Sequence, residues 1–290
     1  MKIKIILKEM RVHHYIKNLL IFVPLACSGQ LFNIDKLIPA IFAFLAFCLI
    51  SSAVYIINDI NDAEKDKKHP FKCKRPIAAG QLSKKAACVA AAVLLAAGMA
   101  LEALCFSLPT LLTLLLYLLL NISYSFGLKD IPLLDIAILV SGFLIRVIYG
   151  SLITEIAISS WLDLVIISTS FYFGFGKRRN ELKRQTGNDT RSVIKKYPLS
   201  FLEKNMYVCM AIVFVFYALW TVDEKTIVLY QNSRLIWTVP FLMLIFMKYS
   251  LTIEGDSDAD PVEVLLHDKV LIVLSTAYLA AMFALLYLIR

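Results

Sequence analysis

The chain has 290 residues, of which 59% are hydrophobic, with a net charge of +8 and a mean hydropathy of +0.73. That composition excludes a soluble domain, in which about half the residues are apolar, and marks an integral membrane protein. The positive balance does not imply a nucleic-acid partner, because in a membrane protein basic residues are distributed by orientation. Six cysteines and four histidines show no metal-ligand spacing, and most of the cysteines fall inside apolar runs, where they act as small hydrophobes.

In chain order, Met1 to Lys17 is basic and amphipathic and lacks a small-residue cleavage site, so it reads as a retained cytoplasmic terminus. Nine spans follow, expected near 16–32, 36–57, 86–107, 109–126, 132–153, 160–176, 205–222, 235–253 and 268–289. Pro24 falls inside the first and should bend or break it. Pro39, Pro109, Pro132 and Pro240 lie near span starts, where a missing N–H costs little. With the N-terminus inside, the inner segments carry five basic residues up to Lys17, eight over 65–85 and nine over 177–204. The outer segments carry only Lys36, Lys225, Arg234 and Arg290, as the positive-inside rule requires. The expectation is one polytopic membrane domain over 1–290, with cytoplasmic loops 58–85 and 177–204 and the C-terminus outside.

Charge chemistry gathers in those loops. Asn58-Asp59-Ile60-Asn61-Asp62 through Asp66 ends the second span, and on a continued helix Asn58, Asp59, Asp62 and Asp66 fall within an arc of about 100°. Asn61 and Glu64 point elsewhere. Carboxylates so close repel one another, and a hard cation such as Mg²⁺, sharing its remaining positions with phosphate oxygens, offsets that repulsion. The alternative is a solvated acidic helix end.

A second cluster runs from Tyr124 through Lys129 to Asp135. Arg146, about three turns beyond Asp135, is the one basic residue deep within a span; it either faces a wet, anion-binding cavity or forms an interhelical salt bridge. A third cluster, Lys177-Arg178-Arg179-Asn180-Glu181, offers cations to phosphate oxygens beyond what topology demands. Arg11, Lys17 and Asn18 flank the first span, where Lys17 either snorkels or meets an anionic lipid. Asp256, Asp258, Asp260, Glu263, His267 and Asp268 form an acidic loop, read as solvated in preference to the alternative that it helps hold a second ion or a sugar hydroxyl.

The pattern Asn58-Asp59-x-x-Asp62-x-x-x-Asp66 resembles the first aspartate-rich motif of the UbiA-type membrane prenyltransferase superfamily. Four finer segments are similar to its decaprenyl-phosphate phosphoribosyltransferase branch: Tyr15 through Leu25, His69 through Gly80 with Arg75, Tyr124 to Lys129 with Gly142 to Arg146, and Gly176 through Glu181. Val12-His13-His14-Tyr15 departs from the branch, which has Pro and Trp there. The resemblance implies an all-α nine-helix bundle around a central cavity. It also implies Mg²⁺-dependent transfer of 5-phosphoribose from phosphoribosyl pyrophosphate to a polyprenyl phosphate.

On that reading Asp59, Asp62 and Asp66 hold the metal and, with Lys129, carry catalysis. Lys17, Asn18, Asn58, Arg75, Tyr124, Asp135, Arg146, Lys177, Arg178 and Glu181 bind substrate. An aromatic or lipid prenyltransferase using a prenyl diphosphate is the competing enzyme, and an anionic-lipid transporter the competing class. A transporter should show mid-membrane charge pairs and an internal repeat; here no repeat is visible and the charges gather at one end.

Overall fold

The computed structural model describes residues 2–68, 72–105, 107–184, 193–255 and 259–289. Among them there is no strand, and twelve α-helices carry the chain: α1 (Lys2–Glu9), α2 (Val23–Ala26), α3 (Ile34–Lys68), α4 (Lys84–Glu102), α5 (Leu108–Ser125), α6 (Leu134–Thr154), α7 (Ser160–Lys183), α8 (Leu199–Val222), α9 (Glu224–Tyr230), α10 (Val239–Ile253), α11 (Pro261–His267) and α12 (Lys269–Phe283). Seven helical stretches are long and apolar enough to cross a bilayer: α3, α4, α5, α6, α8, α10 with the turn before it, and α12 with its extension to Leu288. The protein is a multi-pass membrane protein.

The other two expected spans differ in kind. α7 has 24 residues, about 36 Å of helix, but its last turns carry Lys177 through Lys183. The first expected span is broken, as Pro24 requires: a 3₁₀ helix over Val12–Phe22 gives way to α2, with Pro24 in its first turn.

The helix α3 has 35 residues, about 52 Å long against a hydrocarbon core of about 30 Å. No proline or glycine interrupts residues 40–68, so the helix runs past the apolar thickness and carries the aspartates on its last three turns. Residues 58–68, expected in a loop, are therefore helical. Likewise α7 extends through Lys183, while residues 185–192 of the other expected loop and His69, Pro70 and Phe71 lie outside the described residues.

Two apolar cores share α6. Ile136 and Val140 pack with Tyr172, Leu202, Met206, Phe246 and Tyr249 from α7, α8 and α10. Two turns on, Ile145 and Tyr149 pack with Ile21, Phe47, Ile50 and Leu114 from the 3₁₀ segment, α3 and α5. Close approach is bought with glycine at two points: a Cβ on Gly98 of α4 would stand 2.6 Å from Ile50 Cγ1, and one on Gly150 of α6 would stand 2.0 Å from the Ile21 carbonyl oxygen.

That second contact fixes the 3₁₀ segment against α6. With three residues per turn, Tyr15, Asn18 and Ile21 eclipse on one face. The Tyr15 hydroxyl shares a hydrogen bond with Ser52 Oγ at 2.8 Å, the Asn18 amide donates to Cys48 Sγ and Ser51 Oγ, and Ile21 meets Gly150.

Gly150→Ala should therefore lower the thermal unfolding midpoint in detergent, at a cost of about 1–3 kcal/mol or more, because the obstacle is backbone. Gly142→Ala, whose Cβ meets only Arg146 Nη1 at 3.5 Å, should unfold close to the parent temperature. Equal midpoints for Gly150→Ala and the parent would refute the backbone contact.

Candidate active site

The acidic residues of α3 turn inward. Asp59, Asp62 and Asp66 are buried, whereas Glu64 on the opposite side is exposed and pairs with Lys67 and Lys84. Burying carboxylates requires partners, and each partner comes from a different part of the chain. Asp59 accepts from Arg11 Nη2 at 2.5 and 2.7 Å and from Arg75 Nη1 at 3.0 Å. The same Arg75 nitrogen reaches Asp66 at 2.6 Å, and Lys129 Nζ reaches Asp62 at 2.5 Å.

This differs from the expected trio. Among the described residues no three His, Cys, Asp or Glu side chains gather as a metal-holding group. The helical repeat gives the reason: seven residues bring Asp66 to within about 20° of Asp59, while three residues turn Asp62 about 60° away, toward Lys129. Two carboxylates thus converge on one point, where a guanidinium nitrogen sits between them. Their hard oxygen donors, already arranged around positive charge, fit a divalent cation such as Mg²⁺.

Asn58 is set by the end of α5. Its side-chain oxygen accepts from Ser125 Oγ at 3.0 Å, and Asn61 donates to the Ser125 carbonyl at 2.6 Å. Lys129 lies on the turn just beyond, after Gly127, whose φ of +147° suits glycine.

Arg146 is buried without an acid. Its Nε donates to Asn18 Oδ1 at 2.7 Å and its Nη1 to the Gly142 carbonyl at 2.5 Å, and its guanidinium lies over the rings of Phe47 and Tyr117. Among the described residues it has no carboxylate partner, so the interhelical salt bridge weighed from sequence is not formed.

Arg178 is enclosed completely. It donates to Asp135 Oδ2 at 2.6 Å, to Glu181 Oε2 at 2.6 Å and to the Tyr124 hydroxyl at 3.0 Å. Asp135 also accepts from the Tyr197 hydroxyl at 2.5 Å. Tyr124, Asp135, Arg178 and Glu181 thus form one lock between α5, α6 and α7. The adjacent Arg179 is tied separately, to Glu203 and Glu254.

Lys17 and Lys177 meet at a residue that sequence reasoning undervalued. Asp260, expected in a solvated loop, is buried and accepts from Lys17 at 2.8 Å and Lys177 at 3.3 Å, while its other oxygen caps the Val262 N–H. Burial disfavours its charge, yet the ammonium groups of Lys177 and Lys17 hold its carboxyl well below the usual carboxylate range. Its signal in the sequence was Asp-Pro at a helix start, obscured by the neighbouring acids. Of those, Asp256 and Asp258 lie outside the described residues, Glu263 and His267 are exposed, and Asp268 caps α12 and binds Lys248.

Two further groups flank Arg11. Glu9 is buried with Oε1 lacking a partner among the described residues, and burial, reinforced by Asp59, pushes its carboxyl up to about 7. His14, its Nδ1 also buried without a partner, is pushed down to about 3 by burial and by Lys17, so it is neutral. A carboxyl whose folded pKa is raised favours the fold below its unfolded value and loses that contribution as pH rises. Thermal midpoints should accordingly fall between pH 4.5 and 7, by an amount on the order of 1 kcal/mol, and Glu9→Gln should remove this part of the decline. A Glu9→Gln profile that parallels the parent across this range would contradict the assignment.

Comparison with known proteins places this arrangement. The sequence matches the UbiA prenyltransferase family over residues 20–266. It is 32% identical to a decaprenyl-phosphate phosphoribosyltransferase of Mycolicibacterium smegmatis, covering 97% of this chain and 92% of that one. It is 34% identical to the protein of the same name in Corynebacterium glutamicum, covering 94% and 83%. Among solved structures, a UbiA homolog from Archaeoglobus fulgidus bound to GPP and Mg²⁺ superposes with a TM-score of 0.71 at 18% identity, over 97% of this chain and 99% of that one. A digeranylgeranylglyceryl phosphate synthase follows at 0.66 and 18%, over 98% of each chain. With the family's sequence pattern spanning most of the chain and its fold nearly all of it, this protein belongs to the UbiA prenyltransferase family.

Proposed function

We propose that the protein transfers 5-phosphoribose from phosphoribosyl pyrophosphate to a polyprenyl phosphate and releases diphosphate. The observation that carries this reading is Arg146, a buried cation with no carboxylate partner among the described residues, in a molecule whose α3 aspartates already gather Arg11, Arg75 and Lys129. A buried, unpaired charge is costly unless an anion arrives to meet it. A donor with three phosphoryl groups and an acceptor with one supply such anions, whereas a prenyl diphosphate and a neutral acceptor supply fewer. The names of the relatives at 31–34% identity support the same substrates.

In this reaction the C1–O bond to diphosphate breaks, its electron pair leaving with the diphosphate, and an oxygen of the acceptor phosphate bonds to C1. Asp59 and Asp66, which converge, would hold Mg²⁺, with Asp62 beside them keeping Lys129 in place, and the ion would supply Lewis-acid stabilisation of the diphosphate's growing charge. With an ion held there, Arg11 and Arg75 would be free to meet the donor's phosphates, and Lys129, Arg146 and Lys177 would add fixed positive charge. Asn58, steadied by Ser125, orients the donor. Tyr124, Asp135 and Glu181 hold the enclosed guanidinium of Arg178 and so fix α5, α6 and α7 around the site. The acceptor phosphate is already an anion, so no general base is needed.

The positive-inside pattern supports nine spans, with the site and N-terminus facing the cytoplasm and the C-terminus outside, and the family resemblance supports their arrangement around a central cavity. The runner-up is transfer from a prenyl diphosphate to an aromatic or lipid acceptor, the donor type being that of the geranyl-diphosphate-bound fold neighbour.

Membranes containing the protein, incubated with Mg²⁺, polyprenyl phosphate and phosphoribosyl pyrophosphate labelled in the ribose, should move label into the lipid phase. Asp59→Asn or Asp62→Asn should reduce that transfer by about 100-fold or more with insertion intact. Label appearing only from a prenyl diphosphate would establish the runner-up, and parent-like rates in both variants would remove the carboxylates from the chemistry.

A further inference from the structure

The end of the bundle opposite the aspartates holds a cavity of about 360 Å³, the size of a small-molecule pocket. It lies between the end of α2, the start of α7 and α9, and about 26 Å of α7 separates Ser160 at its wall from Lys177. No residue of this cavity is placed in the transfer proposed above. Its inner wall is fixed: the Tyr230 hydroxyl donates to the Cys27 carbonyl, and Tyr230 and Trp220 are buried with their rings edge-on.

Two opposite charges line the cavity without meeting each other. Asp223 stands at the start of α9 and Lys225 two residues on, a spacing at which helical side chains do not face one another. Aspartate is among the best N-caps, yet Asp223 makes no capping hydrogen bond, and its Oδ1 accepts from Trp161 Nε1 at 3.2 Å instead. Neither Asp223 nor Lys225 belongs to an ion pair among the described residues. Thr226, buried on the same turn, also lines the cavity, and its hydroxyl has no hydrogen-bond partner among the described residues. Across from it Ser159 makes no capping hydrogen bond, which leaves N–H groups of the first turn of α7 open to an acceptor.

A simple anion in this space would be repelled by Asp223 and a simple cation by Lys225, whereas a molecule carrying both signs satisfies both. The surroundings indicate its source. Val228 and Leu229 of α9 are exposed, Leu229 at the cavity wall, and Trp237 at the same end is 73% exposed. Exposed apolar side chains with tryptophan at the ends of spans mark the boundary between hydrocarbon and water, the depth at which lipid head groups lie. We propose that this cavity binds the head group of a phosphatidylethanolamine-type phospholipid, its ammonium on Asp223 and its phosphate on Lys225 and Thr226, with the acyl chains remaining in the bilayer. A primary ammonium suits Asp223 better than a quaternary one, because a carboxylate only accepts hydrogen bonds and needs N–H donors.

Calorimetric titration of the detergent-solubilised protein tests it, with the dihexanoyl forms of phosphatidylethanolamine, phosphatidylcholine and phosphatidylglycerol, and with O-phosphoethanolamine, which has no acyl chains. The ethanolamine lipid should bind saturably and about tenfold more tightly than each of the other three. Asp223→Asn, which keeps an acceptor oxygen for Trp161, should abolish the preference for ethanolamine over glycerol. Lys225→Gln should weaken all three phospholipids by about fivefold. Both side chains are at least partly exposed, and both variants should unfold at the parent temperature in the absence of lipid.

Equal affinity of the parent for the three phospholipids, no saturable binding of any of them, or a preference that survives in Asp223→Asn overturns the site. O-phosphoethanolamine bound as tightly as the ethanolamine lipid would overturn the lipid source. Because no transfer is measured and no donor is present, these outcomes are independent of whether phosphoribosyl pyrophosphate is the substrate at the other end of the molecule.

Discussion

Three carboxylates buried on the last turns of one helix cannot stay charged without cations brought to them. Asp59, Asp62 and Asp66 draw in Arg11 from the N-terminal segment, Arg75 from the turn after α3 and Lys129 from the turn between α5 and α6. These contacts join positions 48, 16, 9 and 67 residues apart. The charge balance of α3 therefore organises the polar end of the molecule before any substrate is present. On the proposed reading, those same cations would meet the substrate's phosphates where a metal took their place on the carboxylates.

The rest of the polar end sorts into supports and surpluses. Arg178, Asp135, Glu181 and Tyr124 satisfy one another and fix α5, α6 and α7 in register. Arg146, with amide, carbonyl and aromatic partners, is left with charge to spare. Lys17 and Lys177 both reach Asp260 beside an apolar space. Gly150 underlies both the second and third of these, since its missing side chain lets the 3₁₀ segment press Asn18 toward Arg146 while Lys17 looks the other way.

Much of this was legible in the sequence because it follows from periodicity. The apolar runs are long, α3 has no breaker before Lys68, and aspartates at a helical spacing had to share a face. Lys177 could be singled out because the cations beside it exceed what orientation demands, Lys17 by its place at the entry to the first span, and Arg75 and Lys129 by their place in segments that resemble the family's. What could not be read depends on tertiary contact. Nothing in Val12–Phe22 announces three residues per turn, so the alignment of His14 with Lys17 and the pairing of Arg11 with Asp59 were hidden. Asp260 looked like one more acid in an acidic loop, and only the fold brings two lysines to it. The division of the aspartates into a converging pair and a third beside Lys129 is likewise a matter of where the cations stand.

Binding of the donor through a divalent ion on α3's carboxylates is the central proposal. Isothermal titration of the purified protein with phosphoribosyl pyrophosphate, in Mg²⁺ and then in chelator, measures this most directly. Affinity that falls at least about tenfold on chelation, with the fall abolished in Asp59→Asn, is the predicted result. Donor binding of equal strength with and without the ion would contradict it.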